Sequence, residues 1–349
     1  MKRNYFLGAL IALAAGFFLL WTNNAFVNSL SNDGVNKKIY LVMEGKTVKD
    51  GGFNQSCWHA LEHFNLQAQV QALANPDGKP LEVLLEQAAG TNPGLIIYTT
   101  AGHGSAKDQK VAEVIKKYPR IKFVVVDNKP QVELSNLAGI NVESQEGAML
   151  AGYIAGRMTK TGKVGFLGGV PGTVMNKFCY GYQAGVIYAA REQKRSVTCL
   201  VQYANTYFEK AAGIQVAKHL YAQDCDIVFQ AAGLSGLGAI EEAKAQKKFI
   251  IGVDVDQSAL APEQVVTSVL KNLERIISNV VKAYLAADDY DLTSKQGLAT
   301  GATGLPLENE LVPYHVLRET RALTQDIING KVSVPEDEVS YLKFLETWQ

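Results

Sequence analysis

Two carboxylates and an ammonium punctuate the stretch from Phe249 to Lys271, FIIGVDVDQSALAPEQVVTSVLK. Asp254 and Asp256 close an apolar, β-branched run of the kind that forms a buried parallel strand. A second apolar run, 265–270, delivers Lys271. Open α/β sheets bind ligands beyond the carboxyl ends of their strands. An ionised carboxylate there can accept from two hydroxyls while a lysine donates to another oxygen, which suits a hydroxyl-rich small molecule. The same spacing also fits a plainer arrangement, in which Asp256 closes a turn with Gln257 and Lys271 lies on a solvated face.

Two rings offer a second kind of contact. Phe53 and Tyr207 each fall in a polar loop after an expected strand, one in each half of the chain. A ring exposed in such a loop can cover a flat ligand, worth about 1–3 kcal/mol per stacked base; the alternative is a ring folded back onto its own core. Gly233, Gly236 and Gly238 follow a strand, but their GxxGxG order is not that of a dinucleotide loop and fits a helix entry. Ser235 sits in a near-match to a nucleophile elbow whose final glycine comes one place early, with no histidine placed to activate it. His59 and His63 stand four apart on an expected helix without a third ligand nearby. No catalytic residue, metal or cofactor is therefore expected, and no enzyme.

The elements that must position these groups alternate. Strands are expected at 38–43, 94–99 and 122–127, with helices from 53 to 64, 81–89 and 106–117 between and around them. A second series has helices at 146–159, 175–192, 211–222 and 239–245 and strands at 163–168, 197–203, 226–231 and from 249. A long amphipathic helix to about 287, a Gly-rich loop at 297–304 and a helix at 313–329 follow. Strand, loop and helix in turn make a doubly wound parallel sheet. The fold class is α/β, with two such lobes in series closing as a hinged clamshell over a ligand between their facing strand ends. The expected division is 1–37 as leader and linker, 38–140 as an N-terminal lobe completed by roughly 275–330, 141–274 as the C-terminal lobe and 331–349 as a polar tail.

Lys2 and Arg3, the uncharged run from Phe6 to Trp21 and a polar stretch after it form an export signal, cleavable after Ala25 or retained as an anchor. The chain is thus expected outside the cytoplasm, periplasmic or held at the outer face of the cytoplasmic membrane, and in contact with membrane if the segment is retained. Its 34 basic and 34 acidic residues cancel, which gives no reason to expect a nucleic-acid partner. In an exported chain Cys199 could pair with Cys225.

The residues Asp50-Gly51-Gly52-Phe53-Asn54-Gln55-Ser56-Cys57-Trp58 resemble the Asp-x-Ser-Phe-Asn-Gln-x-x-Trp segment of the basic membrane protein family, the purine nucleoside receptor-like binding components of ABC importers. The resemblance continues in order through Val125-Val126-Asp127, Glu146-Gly147-Ala148, 164–169, 229–233, 252–257 and 267–271. It implies a type I periplasmic-binding-protein clamshell that binds a nucleoside, purine in preference, and delivers it to an importer permease. It also implies roles: Phe53 and Tyr207 stack on the base, Asn54 and Asp127 bond its edge, Asp254 and Lys271 clamp the ribose, Gly233 lets backbone approach and Asp50 shapes the first loop. The family's usual ring at 207 is Phe. Asn205 and Glu209 replace its Gly and Asp, Gly51 and Gly52 replace a Lys/Ser-type pair, Ala60 replaces a common Gly, and the lipoprotein cysteine is absent. A membrane-tethered sensor of the same fold, binding a sugar or signal molecule, is the alternative.

Overall fold

The computed structural model describes residues 36–347 apart from 101–104, 131, 289–294 and 308–309. The expected export segment and the Gly102–Gly104 loop lie outside the described residues. The chain begins with β1 (Lys38–Met43), α1 (Phe53–Glu62), β2 (Gln69–Leu73), α2 (Leu81–Ala89), β3 (Leu95–Thr99), α3 (Ser105–Lys117), β4 (Lys122–Val126) and β5 (Leu137–Ile140). These strands form a five-stranded parallel sheet in the order β2-β1-β3-β4-β5. Every residue of β3 and β4 is buried, as strands covered on both faces require.

The second half contains α4 (Ser144–Met158), β6 (Lys163–Gly168), α5 (Thr173–Glu192), β7 (Thr198–Tyr203), α6 (Lys210–Ala222), β8 (Ile227–Ala231), α7 (Gly233–Gln246), β9 (Phe249–Asp254) and β10 (Val265–Lys271). Then come α8 (Leu273–Ala286), the two-residue β11 (Thr303–Gly304), α9 (Tyr314–Ile328) and α10 (Glu338–Glu346). The second sheet runs β11-β10-β9-β8-β6-β7, parallel except for β11. Glycines bring α4 and α5 into backbone contact: a Cβ on Gly152 would lie 2.0 Å from the Tyr182 carbonyl oxygen, and one on Gly185 2.0 Å from that of Met149.

Three passages of chain connect the lobes: 141–143, Asn272 and the return that includes Gln296. Glu143 N–H donates to the Gln296 carbonyl (2.9 Å), so the first and third run side by side. Of the segment expected to complete the first lobe, α8 and Ala302 do so, burying Leu273, Ile276, Ile277, Val280, Val281 and Ala302 in that lobe's core. β11 pairs with β10, and α9 sets Leu323 and Ile327 against Met149, Leu150 and Tyr153 of α4. The stretch expected as a polar tail is also built into the second lobe. Asp337 and Ser340 form a reciprocal cap that starts α10, and α10 buries Phe344 in the same cluster.

All four cysteines are free thiols. Cys199 and Cys225 do not pair because β6 lies between their strands: Val164 faces Cys199 on one side and Ile227, just beyond Cys225, on the other. Strands two apart in a sheet are about 10 Å apart, outside the roughly 7 Å Cα separation that a disulfide spans.

Candidate functional site

The carboxyl ends of both sheets face one cleft of about 1100 Å³, part of it open to solvent. All eight site residues expected from the sequence line it: Asp50, Phe53, Asn54, Asp127, Tyr207, Gly233, Asp254 and Lys271. Asp256 does not. It is exposed, and its carboxylate accepts from Ser258 N–H at 3.0 Å, so Asp256 closes a turn, while Asp254 and Lys271 are buried and line the cleft.

Asp50 is nearly spent on its own loop. Its carboxylate accepts from the backbone N–H groups of Gly52 (3.0 Å), Asn54 (2.9 Å) and Gln55 (3.1 Å) and from the Asn54 side-chain amide (2.8 Å). A carboxylate over the first turn satisfies amides that have no partner within the helix and complements the positive end of α1. It thereby fixes Phe53, the first residue of that helix. Asn54 Oδ1 also accepts from Thr99 Oγ1 at 3.1 Å, leaving one amide hydrogen and one lone pair for other partners.

Asp127 follows β4 and Asp254 ends β9, and both adopt left-handed backbone, φ 58° and 68°. Such conformations cost about 1–3 kcal/mol in non-glycine residues and cluster at functional sites. Both side chains are buried, as is Lys271 at the end of β10. The Lys271 ammonium bonds Asp127 Oδ2, lies 3.9 Å from Asp254 Oδ1 and sits 5.3 Å from the Phe53 ring centre and 4.6 Å from that of Phe178. Burial raises the Asp254 carboxyl to about 6, against the pull of Lys271 and reinforced by Asp50 and Asp127. The Cys57 thiol is pushed well up, first by burial and then by the same carboxylates.

From the second lobe, the Tyr207 hydroxyl donates to the Val170 carbonyl at 3.2 Å, and burial raises it to about 12. Phe53 and Tyr207 are each half-buried, packed against their own lobe's core while also lining the cleft. Gly233 opens α7 at φ 55°, where a Cβ would come within 3.2 Å of the Tyr207 carbonyl. Gly236 and Gly238 serve packing: a Cβ would meet Gln230 Oε1 at 1.7 Å and the Lys210 carbonyl at 2.1 Å. Ser235 is buried, and its hydroxyl accepts from Glu209 N–H and donates to the Thr206 carbonyl, both at 3.2 Å.

Sequence reasoning missed the turn between β6 and α5. Val170, Pro171, Val174, Met175 and Phe178 make one apolar wall of the cleft. The signal there is Gly168-Gly169-Val170-Pro171 at the end of the strand, which marks where a strand stops and says nothing of a cleft wall. A cross-cleft ion pair, Lys46 to Glu209 at 3.0 Å, was also missed. Among the described residues no group of three or more His, Cys, Asp or Glu side chains could hold a metal ion, and no helix is long and apolar enough to cross a membrane.

Known proteins match this arrangement along most of its length. The family model for PnrA-like ABC transporter substrate-binding proteins matches residues 36–338. The chain belongs to that family. It is 34% identical to basic membrane protein A of Borreliella afzelii over 318 residues, 88% of this chain and 94% of that protein. It is 28% identical over 362 residues to a CD4+ T-cell-stimulating antigen of Listeria innocua, covering 96% and 99% of the two chains. An ABC transporter solute-binding protein from Aeropyrum pernix superposes with a TM-score of 0.77 at 20% identity, covering 88% of this chain and 96% of that one. A transcriptional activator of the comK gene from Bacillus halodurans superposes at 0.66 and 19% identity, covering 83% and 97%. At those identities the superpositions speak for the two-lobed α/β fold alone. The family assignment makes this PnrA-like chain a substrate-binding component of an ABC transporter, with a small-molecule ligand and a permease partner.

Proposed function

We propose that the PnrA-like chain binds a nucleoside, preferably a purine nucleoside, between its lobes outside the cytoplasm and hands it to an importer permease. The observation that carries this reading is the company around Lys271: two buried carboxylates at strand ends and the ring of Phe53, with Tyr207 on the same cleft from the other lobe. A flat heterocycle fits between rings, and stacking tolerates any base, so purine preference falls to edge groups, the remaining amide capacity of Asn54 and the Asp127 carboxylate. Asp254 accepts from the ribose diol, Lys271 donates to a hydroxyl or the ring oxygen, and the Gly233 backbone lies close by. Export rests on Lys2, Arg3 and the apolar run after them, by cleavage or as a retained anchor. Closure over the ligand is what the permease reads. The test is mass spectrometry of small molecules released on unfolding protein purified without added ligand. A nucleoside supports the reading, and a free sugar or amino acid in its place overturns it.

A further inference from the structure

Lys177 of α5 is buried, at 5% exposure, yet it lies outside the cleft. Its ammonium donates to Asn141 Oδ1 and to the Val142 carbonyl, both at 2.9 Å, in the first passage between the lobes. Asn141 passes the contact on, its amide donating to Glu143 Oε1 at 3.0 Å, while Gln145 donates to Glu143 Oε2 at 2.7 Å. Val142 bridges Gln296, whose carbonyl accepts from Glu143 N–H, so the passage that Lys177 holds is itself paired through its backbone with the third. The turn of α5 that carries Lys177 also presents Met175 and Phe178 to the cleft, and Phe178 supports the Lys271 ammonium.

We propose that Lys177 is a positioning residue that couples the cleft-facing turn of α5 to the hinge and so sets the angle at which the lobes close on their ligand. A buried ammonium is costly unless paired. Burial lowers the Lys177 pKa, while Asp127, Glu143 and Glu336 oppose that and Lys129 adds to it. Glu336 lies 3.9 Å away. A lysine kept in this position does something an apolar residue cannot: it holds the carbonyl of Val142 and, through Asn141, the buried carboxylate of Glu143. A displacement of Phe178 or Met175 by ligand thus reaches the hinge through one helical turn.

The test compares the full chain with Lys177→Met, Asn141→Ala and the double variant. The first readout is amide hydrogen exchange without ligand; the second is the rate at which inosine leaves, and only this second arm rests on the nucleoside reading. The proposal expects the Glu143 amide to exchange at least tenfold faster in Lys177→Met and severalfold faster in Asn141→Ala, with amides in β1 and β6 unchanged. Inosine leaves at least tenfold faster from Lys177→Met, and the double variant is no worse than that single one. Glu143 exchange within twofold of the parent in both single variants overturns the proposal. So does acceleration spread evenly over both sheets, the mark of a merely structural lysine, and so do additive effects in the double variant. If the parent chain binds no inosine, the nucleoside reading falls while the exchange arm still decides the role of Lys177.

Discussion

Asp254→Asn is expected to stabilise the ligand-free protein while destroying its binding function. The native carboxyl sits at about 6 against an ordinary value of 3.8, because burial penalises its charge more than Lys271 repays. A raised carboxyl pKa means that the folded state binds the proton more tightly than the unfolded chain. Stability contributed by the neutral acid is therefore lost as pH rises from 3.8 through 6, and the charged form is a cost above that window. At about 1.4 kcal/mol per pKa unit, the shift is worth about 3 kcal/mol at pH 7.5 and about 1 kcal/mol at pH 4.5. The asparagine keeps the shape without the charge, and Lys271 keeps Asp127 as its partner. Denaturant unfolding of parent and variant between pH 4.5 and 7.5, paired with a nucleoside titration, measures both halves. The account expects a gain in stability that grows with pH by about 2 kcal/mol over that range, and loss of binding at every pH. A variant that is less stable at pH 7.5, or a gain that does not change with pH, refutes the reasoning.

Lys271→Met is expected to act in the opposite sense, since it strands Asp127 and Asp254 as buried charges; a loss of about 3–5 kcal/mol by denaturant unfolding is expected, and a neutral effect contradicts the pairing. Phe53→Ala and Tyr207→Ala should each weaken nucleoside affinity by about 1–3 kcal/mol in calorimetry, whereas Tyr207→Phe, which gives up only the hydrogen bond to Val170, should cost about 1 kcal/mol or less. Lys46→Ala should change closure by no more than about 1 kcal/mol, because that cross-cleft pair is largely exposed, and the effect should vanish at high salt. Thiol titration of the unfolded, unreduced protein should find four free cysteines per chain; two would mean a disulfide that the sheet order forbids.

Much of this site was legible because strand ends announce themselves. The run before Asp254 is apolar throughout, so the strand and its polar terminus could be read together, and β1 and β6 fall where the hydrophobic pattern puts them. β2 was invisible for the opposite reason: Gln69–Leu73 is an edge strand with mostly exposed side chains, and QVQAL carries no buried stripe. β5 is four residues with a central glycine, too short for a period. α7 was expected from 239 because Gly233, Gly236 and Gly238 look like a loop. They lie in the helix, and they are glycines because Tyr207, the Gln230 side chain and the Lys210 carbonyl leave little or no room for a Cβ at 233, 236 and 238 in turn. The return of α9 and α10 to the second lobe depends on Leu323, Ile327 and Phe344 meeting the packed pair α4 and α5, a long-range match that local pattern does not encode. Phe178 escaped notice because one turn into an amphipathic helix it has the spacing of a core residue, and it is also that.

Isothermal titration of the purified chain with inosine, guanosine, adenosine, cytidine and ribose tests the central claim most directly. Saturable one-to-one binding of at least one purine nucleoside, with cytidine weaker and ribose silent, is the expected result. Heat from ribose alone, or from none of the four nucleosides, contradicts it.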